Sequence, residues 1–118
     1  MRGFTLGLLA VAAFATATEA LAADYAPLDC RKADAPALFA ICSNYSLGQA
    51  EARMATLFGI ATSLVAMGQR GELIDTQPDW LAERDRCGEN TSCLGDAYAR
   101  RIQQLNAVIA DIASRGPY

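Results

Sequence analysis

Apolar and polar residues alternate along most of this chain with the spacing of helices, not of strands. Leu47, Ala50, Met54, Leu57, Ala61 and Leu64 follow one another at steps of three and four, which places them on one helix face as a packing seam. Asn44 stands just before that run and suits an N-cap, so a long second helix is predicted from there, ended by Gly68 and Gly71. Upstream, Asp34 is placed to cap a short helix over Ala35 to Cys42, with Pro36 tolerated in its first turn. Ala23 to Asp29 reads as an extended lead-in. Gly71 to Thr76 reads as a connector, with at most one helical turn around Leu73 and Ile74. Because proline fits a helix best near its start, the third helix is predicted from Gln77 or Pro78 to about Arg86. Trp80, Arg84 and Cys87 then share a face, as do Leu94, Tyr98, Arg101, Leu105 and Val108 on a fourth helix. Asn90 suits the N-cap of that helix, which should run from Thr91 to about Ser114, with Arg115 in its last turn and Gly116 and Pro117 as its stop. No alternating strand pattern and no internal repeat is present, so the predicted fold class is all-α: a small bundle of about four helices, one short, two long and one medium.

The first residues carry a different pattern. Met1-Arg2 supplies a small positive charge, Phe4 to Phe14 is an apolar run too short to span a bilayer comfortably, and Ala20-Leu21-Ala22 fits a small-x-small cleavage site. Residues 1–22 are therefore expected to be a signal peptide, cut after Ala22, with Ala23 and Ala17 as other positions. Cys30 follows Asp29 where lipid attachment needs a small residue. The expected product is an exported domain over residues 23–118, periplasmic or secreted, with no stable membrane insertion after cleavage.

Removing that segment changes how the composition reads. Much of the positive mean hydropathy belongs to the signal. Loss of Arg2 and Glu19 leaves nine basic and twelve acidic residues, still a net charge of −3. Such a balance argues against a nucleic-acid partner, which would favour a basic face, and is compatible with a basic protein partner. A domain this small has a thin core, so covalent staples should matter.

Four cysteines in an exported chain read as two disulfides, for which three connectivities exist. The local pairs Cys30–Cys42 and Cys87–Cys93 are preferred here. Zinc is disfavoured, because the cysteines lack the usual Cys-x-x-Cys spacing and the chain has no histidine. The absence of histidine also removes Ser-His-Asp and Cys-His nucleophile sites. There is no phosphate-binding glycine loop, and no two acidic residues stand out as a glycosidase pair. No catalytic residue, cofactor or metal site is expected, and an enzyme is not the reading these residues favour.

Trp80 and Tyr98 are expected to be buried core residues. Arg84 shares the face of Trp80, and a buried arginine needs a partner. Glu51 is the expected partner if the third helix runs antiparallel to the second, with Arg101 in reserve. The polar stretch Gly88, Glu89, Asn90, Thr91 and Ser92 lies between two cysteines and is the candidate contact loop, although a plain turn is the simpler reading.

Several of these residues together carry a resemblance to a known family. Asp29-Cys30, Lys32-Ala33, Pro36 and Ala40-Ile41-Cys42 resemble the opening motif of the LprI-type lysozyme inhibitor domain, a small exported helical domain. Leu47 and Glu51 are similar to its leucine and acidic position. Gln77, Trp80-Leu81, Glu83-Arg84-Asp85, Cys87, Cys93-Leu94, Tyr98, Arg101-Ile102 and Leu105 resemble its signature. The similarity runs from about Asp29 to Leu105. Leu38, Phe58 and Pro78 depart from the pattern, where an acidic residue, a tyrosine and a continuous helix are usual. The resemblance implies a protein partner: lysozyme or another peptidoglycan hydrolase, inhibited in the cell envelope. Two other expectations stand beside it, a periplasmic structural or interaction module without inhibitory activity and an immunity protein against a wall-degrading toxin.

Overall fold

The computed structural model describes residues 27–115. The predicted signal peptide and the Gly116-Pro117 stop lie outside them. Within the described residues the chain is all-α, with four helices and no strand. A single 3-10 turn, Cys30–Lys32, precedes α1 (Pro36–Ser43), α2 (Tyr45–Leu64), α3 (Met67–Asp85) and α4 (Thr91–Ser114).

Local chemistry explains most of the boundaries. Asn44 ends α1 and starts α2: its amide nitrogen donates to the Ala40 carbonyl, and its side-chain oxygen accepts from Leu47 N at 3.1 Å. One residue thus serves as the whole hinge between the two helices. Asn90 does the same work before α4, accepting from Cys93 N at 3.0 Å, so that two orphan amides of helix first turns are satisfied by asparagine. Asp34 does not cap α1. The N-cap is Ala35, which makes no side-chain hydrogen bond, with Pro36 at the first helical positions. Proline lacks one of the donors a cap would serve, so the helix starts without one.

The largest departure from the sequence pattern is α3. Gly68 and Gly71 do not end α2, which stops at Leu64, and 71–76 is helix, not connector. Among the described residues only Gly88 has a positive φ, 56°; Gly68 and Gly71 are ordinary helical residues and supply no stop. Pro78 lies inside α3, where its missing amide leaves the Ile74 carbonyl without a helical donor. What carries the helix through is packing. Leu73, Ile74, Gln77, Trp80, Leu81 and Arg84 form one continuous inward stripe, while Pro78 falls on the exposed side. Tertiary burial therefore outweighs the local signals, and the bundle has one short helix and three long ones.

The core is a single cluster at the meeting of all four helices, built on Ala37 and Ile41 of α1, Leu47, Met54, Phe58 and Ala61 of α2, Trp80 of α3, and Leu94, Tyr98 and Leu105 of α4. The α2 seam is turned slightly from its predicted line. Glu51 and Phe58 are buried, whereas Leu64, expected at the end of the seam, is half exposed. Cys30 is bonded to Cys42 and Cys87 to Cys93. Loop-closure entropy makes these short staples worth about 2–3 kcal/mol each. Both lie at the end of the bundle where α1 meets α2 and α3 meets α4; the α2–α3 corner has none.

Candidate functional site

The core carries buried polar groups as well as apolar ones. Glu51, Arg84 and Tyr98 come from α2, α3 and α4 and meet in the interior, each at most 4% exposed. Tyr98 Oη donates to Glu51 Oε2 at 2.5 Å, and Arg84 Nη1 lies 3.4 Å from both the same carboxylate oxygen and the phenol oxygen. The other Glu51 oxygen accepts from Leu28 N at 3.2 Å, which ties the segment before the first staple onto α2. Arg84 also forks onto the partly exposed Asp85, through Nε at 2.9 Å and Nη2 at 2.8 Å. Its guanidinium carbon sits 5.7 Å from the centre of the Trp80 ring, within reach of a cation–π attraction. The Trp80 ring in turn meets Tyr98 edge-on at 5.4 Å, and its indole N–H donates to the Ala97 carbonyl at 3.3 Å. Burial pushes the Tyr98 hydroxyl well above the ordinary phenol range. The Glu51 charge and the hydrogen bond to it push the same way, against a smaller opposing effect of Arg84. The phenol is thus held neutral as a donor.

Arg101 is not part of this network. It was expected as a reserve partner for Glu51, yet its guanidinium forks onto Gln77 Oε1, at 3.1 Å from Nε and 2.6 Å from Nη2, and reaches Gln104 Oε1 at 3.3 Å. The cause is geometric: Arg101 lies one turn beyond Tyr98 on α4, level with Gln77, which stands one turn before Trp80 on α3. The Gln77 amide completes the arrangement by donating to Met54 Sδ at 3.5 Å. Desolvation lowers the pKa of Arg101, a cation held by amide oxygens. The Gln77–Arg101 pair was missed in the sequence, although Gln77, Trp80 and Arg84 share the spacing of one inward face.

These buried groups hold α2, α3 and α4 in register. Surface chemistry is found elsewhere. The turn between Cys87 and Cys93 exposes Glu89, Asn90, Thr91 and Ser92, with Gly88 half-buried at its left-handed position. Along the solvent face of α3 runs a row of exposed carboxylates, Glu72, Asp75, Asp79 and Glu83, at steps of three and four that keep them on one side. Among the described residues only Glu83 of these has a cation opposite it, Arg100 of α4 at 3.0 Å. Exposed Arg86 closes the row. Like charges at such spacing cost a helix about 0.2–0.5 kcal/mol per pair, so the row contributes nothing to the stability of α3. Among the described residues no group of three or more histidine, cysteine, aspartate or glutamate side chains is placed to hold a metal ion, and no helix is long and apolar enough to cross a membrane.

No protein-family model, curated protein or solved structure matches the chain.

Proposed function

We propose that the chain is an exported LprI-like protein that inhibits lysozyme or a related peptidoglycan hydrolase in the cell envelope, acting by binding and not by catalysis. The observation that carries this reading is the acidic face of α3. Four carboxylates in a row, followed by Glu89 in a turn closed by a disulfide, form a surface that folding alone does not require. Lysozymes of the host-defence type are basic, and a negative face steers such a partner and raises the association rate. A turn held by Cys87–Cys93 loses little conformational freedom on binding. The two disulfides suit an oxidising compartment, which supports export to the periplasm or beyond. The resemblance of Asp29 to Leu105 to the LprI-type domain supports the same conclusion from the sequence.

The test is turnover of a lysozyme panel on cell-wall substrate with the purified protein added. Inhibition at stoichiometric ratios, weakened by salt through slower association, is the expected result. Unchanged turnover of every lysozyme at micromolar inhibitor refutes it.

A second reading has one observation in its favour. Ile60, Leu64 and Met67 are exposed together around the α2–α3 corner, and an apolar surface of that kind suits a docking module. On that reading the protein is a non-enzymatic periplasmic interaction module, and binding would be lost when these three residues become polar.

A further inference from the structure

The two staples of the bundle converge on one surface groove. Phe39, Ala40, Ser43 and Asn44 form one wall, and Glu89 and Thr91 form the other, around a cavity of about 300 Å³. The first wall is the end of α1, held by Cys30–Cys42 and by the Asn44 cap; the second is the turn held by Cys87–Cys93 and the Asn90 cap. Each wall is therefore fixed before anything binds, which lowers the entropic cost of binding there.

The chemistry of the lining is specific. Phe39 is 53% exposed, an unusual state for the aromatic residue of a small domain whose other helix-borne rings, Phe58, Trp80 and Tyr98, are inside, Tyr45 apart. The Ser43 hydroxyl is turned away, donating to the Phe39 carbonyl at 2.7 Å. Glu89 is exposed and joins no ion pair among the described residues. Among the described residues none that lines the groove is cationic. An aromatic face and a carboxylate thus lie across one rigid cleft in a chain of net charge −3, with no cation of the groove itself to satisfy them.

We propose that this groove receives an arginine side chain projecting from a basic protein partner, with the guanidinium stacked on Phe39 and paired with the Glu89 carboxylate. Arginine fits better than lysine. Its planar, weakly hydrated head stacks on a ring and offers two parallel donors to one carboxylate, which an ammonium does not. The α3 acidic row then brings the partner close, and the groove fixes where it stops. The identity of the partner as a lysozyme rests on the inhibitor reading; the arginine-binding chemistry rests on the groove.

The experiment measures the affinity of the purified protein for a basic host-defence lysozyme by calorimetry, with Phe39→Ala, Glu89→Gln and, about 30 Å away at the far end of α2, Met67→Ser. Circular dichroism establishes that each variant is folded, and Glu89→Gln, on an exposed turn, keeps the test valid if Phe39→Ala does not fold. The expected result is about tenfold weaker binding for each groove variant and less than twofold change for Met67→Ser. Binding by the original protein that both groove variants retain within twofold overturns the groove and leaves the inhibitor reading standing. Loss at Met67→Ser instead places the contact at the α2–α3 corner and overturns the groove as well. No binding by the original protein at 100-micromolar concentrations, on the order of 5 kcal/mol of affinity, overturns the inhibitor reading and the groove with it.

Discussion

The two ends of this bundle are built on different principles. At one end two disulfides, two asparagine caps and the Glu51–Tyr98–Arg84 network lie close together, and every charged atom inside has a partner. At the other, where α2 turns into α3 through Val65 and Ala66, there is no staple, no side-chain cap and no buried ion pair among the described residues, and Leu64 and Met67 face outward at 50% and 86% exposure. A thin core of a few large residues is not enough to fix four helices equally along their length. Covalent and ionic constraints are concentrated at the end that carries the groove and the closed turn. The opposite corner is left to short-loop geometry.

The largest expected effect that breaks this contrast comes from Trp80. Its ring covers the Arg84 guanidinium, meets Tyr98 and donates to the Ala97 carbonyl. Trp80→Ala removes a buried aromatic and uncovers a buried charge, so it should cost about 3–5 kcal/mol in denaturant unfolding. A loss under about 1 kcal/mol would mean that the stapled end is held by its disulfides alone.

Next in size is the ion pair. Glu51→Gln and Arg84→Lys should each cost about 2–3 kcal/mol, because each leaves a buried group with a poorer partner. The double variant should cost less than the sum of the two, since the groups interact directly. Strict additivity in equilibrium unfolding would show that Arg84 is held by Asp85 and Trp80 without help from Glu51.

How far the sequence led can be judged from these same residues. Glu51 and Arg84 were expected to meet because each is a charged residue on an apolar face, and such a residue demands a partner. Asn44 and Asn90 were legible as caps because capping is chemistry between neighbours in the chain. The start of α3 was not legible. Gly68, Gly71 and Pro78 are all local stop signals, and what overrides them is the packing of Leu73, Ile74 and Gln77 against α2 and α4. Arg101 failed for a related reason. Whether it reaches Glu51 or Gln77 depends on how far α4 slides along α3, which no spacing within either helix encodes. The exposed Phe39 had no signal beyond its side of a short helix.

Alkaline pH sharpens the comparison further. The pKa of Tyr98 is raised in the folded state by burial and by Glu51. A group whose folded pKa lies above its unfolded value near 10 contributes stability that is fully present below about pH 10 and is lost as the pH rises above it. Stability should therefore fall from about pH 10 upward, by at most about 1.4 kcal/mol per pH unit from this group. Tyr98→Phe removes the ionising hydroxyl and should flatten that part of the curve, although it lowers stability at neutral pH by leaving Glu51 with one donor fewer. Equal slopes for the two proteins between pH 10 and 12 would show that the network does not sense the phenol.

The smallest effect is expected at the corner opposite the staples, and it is the one that gives the contrast its meaning. Met67 is the first residue of α3 and is almost fully exposed, so Met67→Ser removes little buried surface and should change stability by less than about 0.5 kcal/mol. Backbone amides at 63–70 should also exchange with solvent faster than those of Leu94 to Tyr98, because few buried contacts oppose local opening there. A melting temperature lowered by many degrees in Met67→Ser would mean that this side chain is covered in solution. Its dependence on protein concentration would then tell how: a melting temperature of the unsubstituted protein that falls on dilution, toward that of the variant, identifies a second copy of the chain seated on the corner, since a self-associating surface is stabilised by mass action and an isolated one is not. Stability that stays flat with both substitution and dilution leaves the corner as open surface, with the covalent and ionic constraints of the fold gathered at the opposite end.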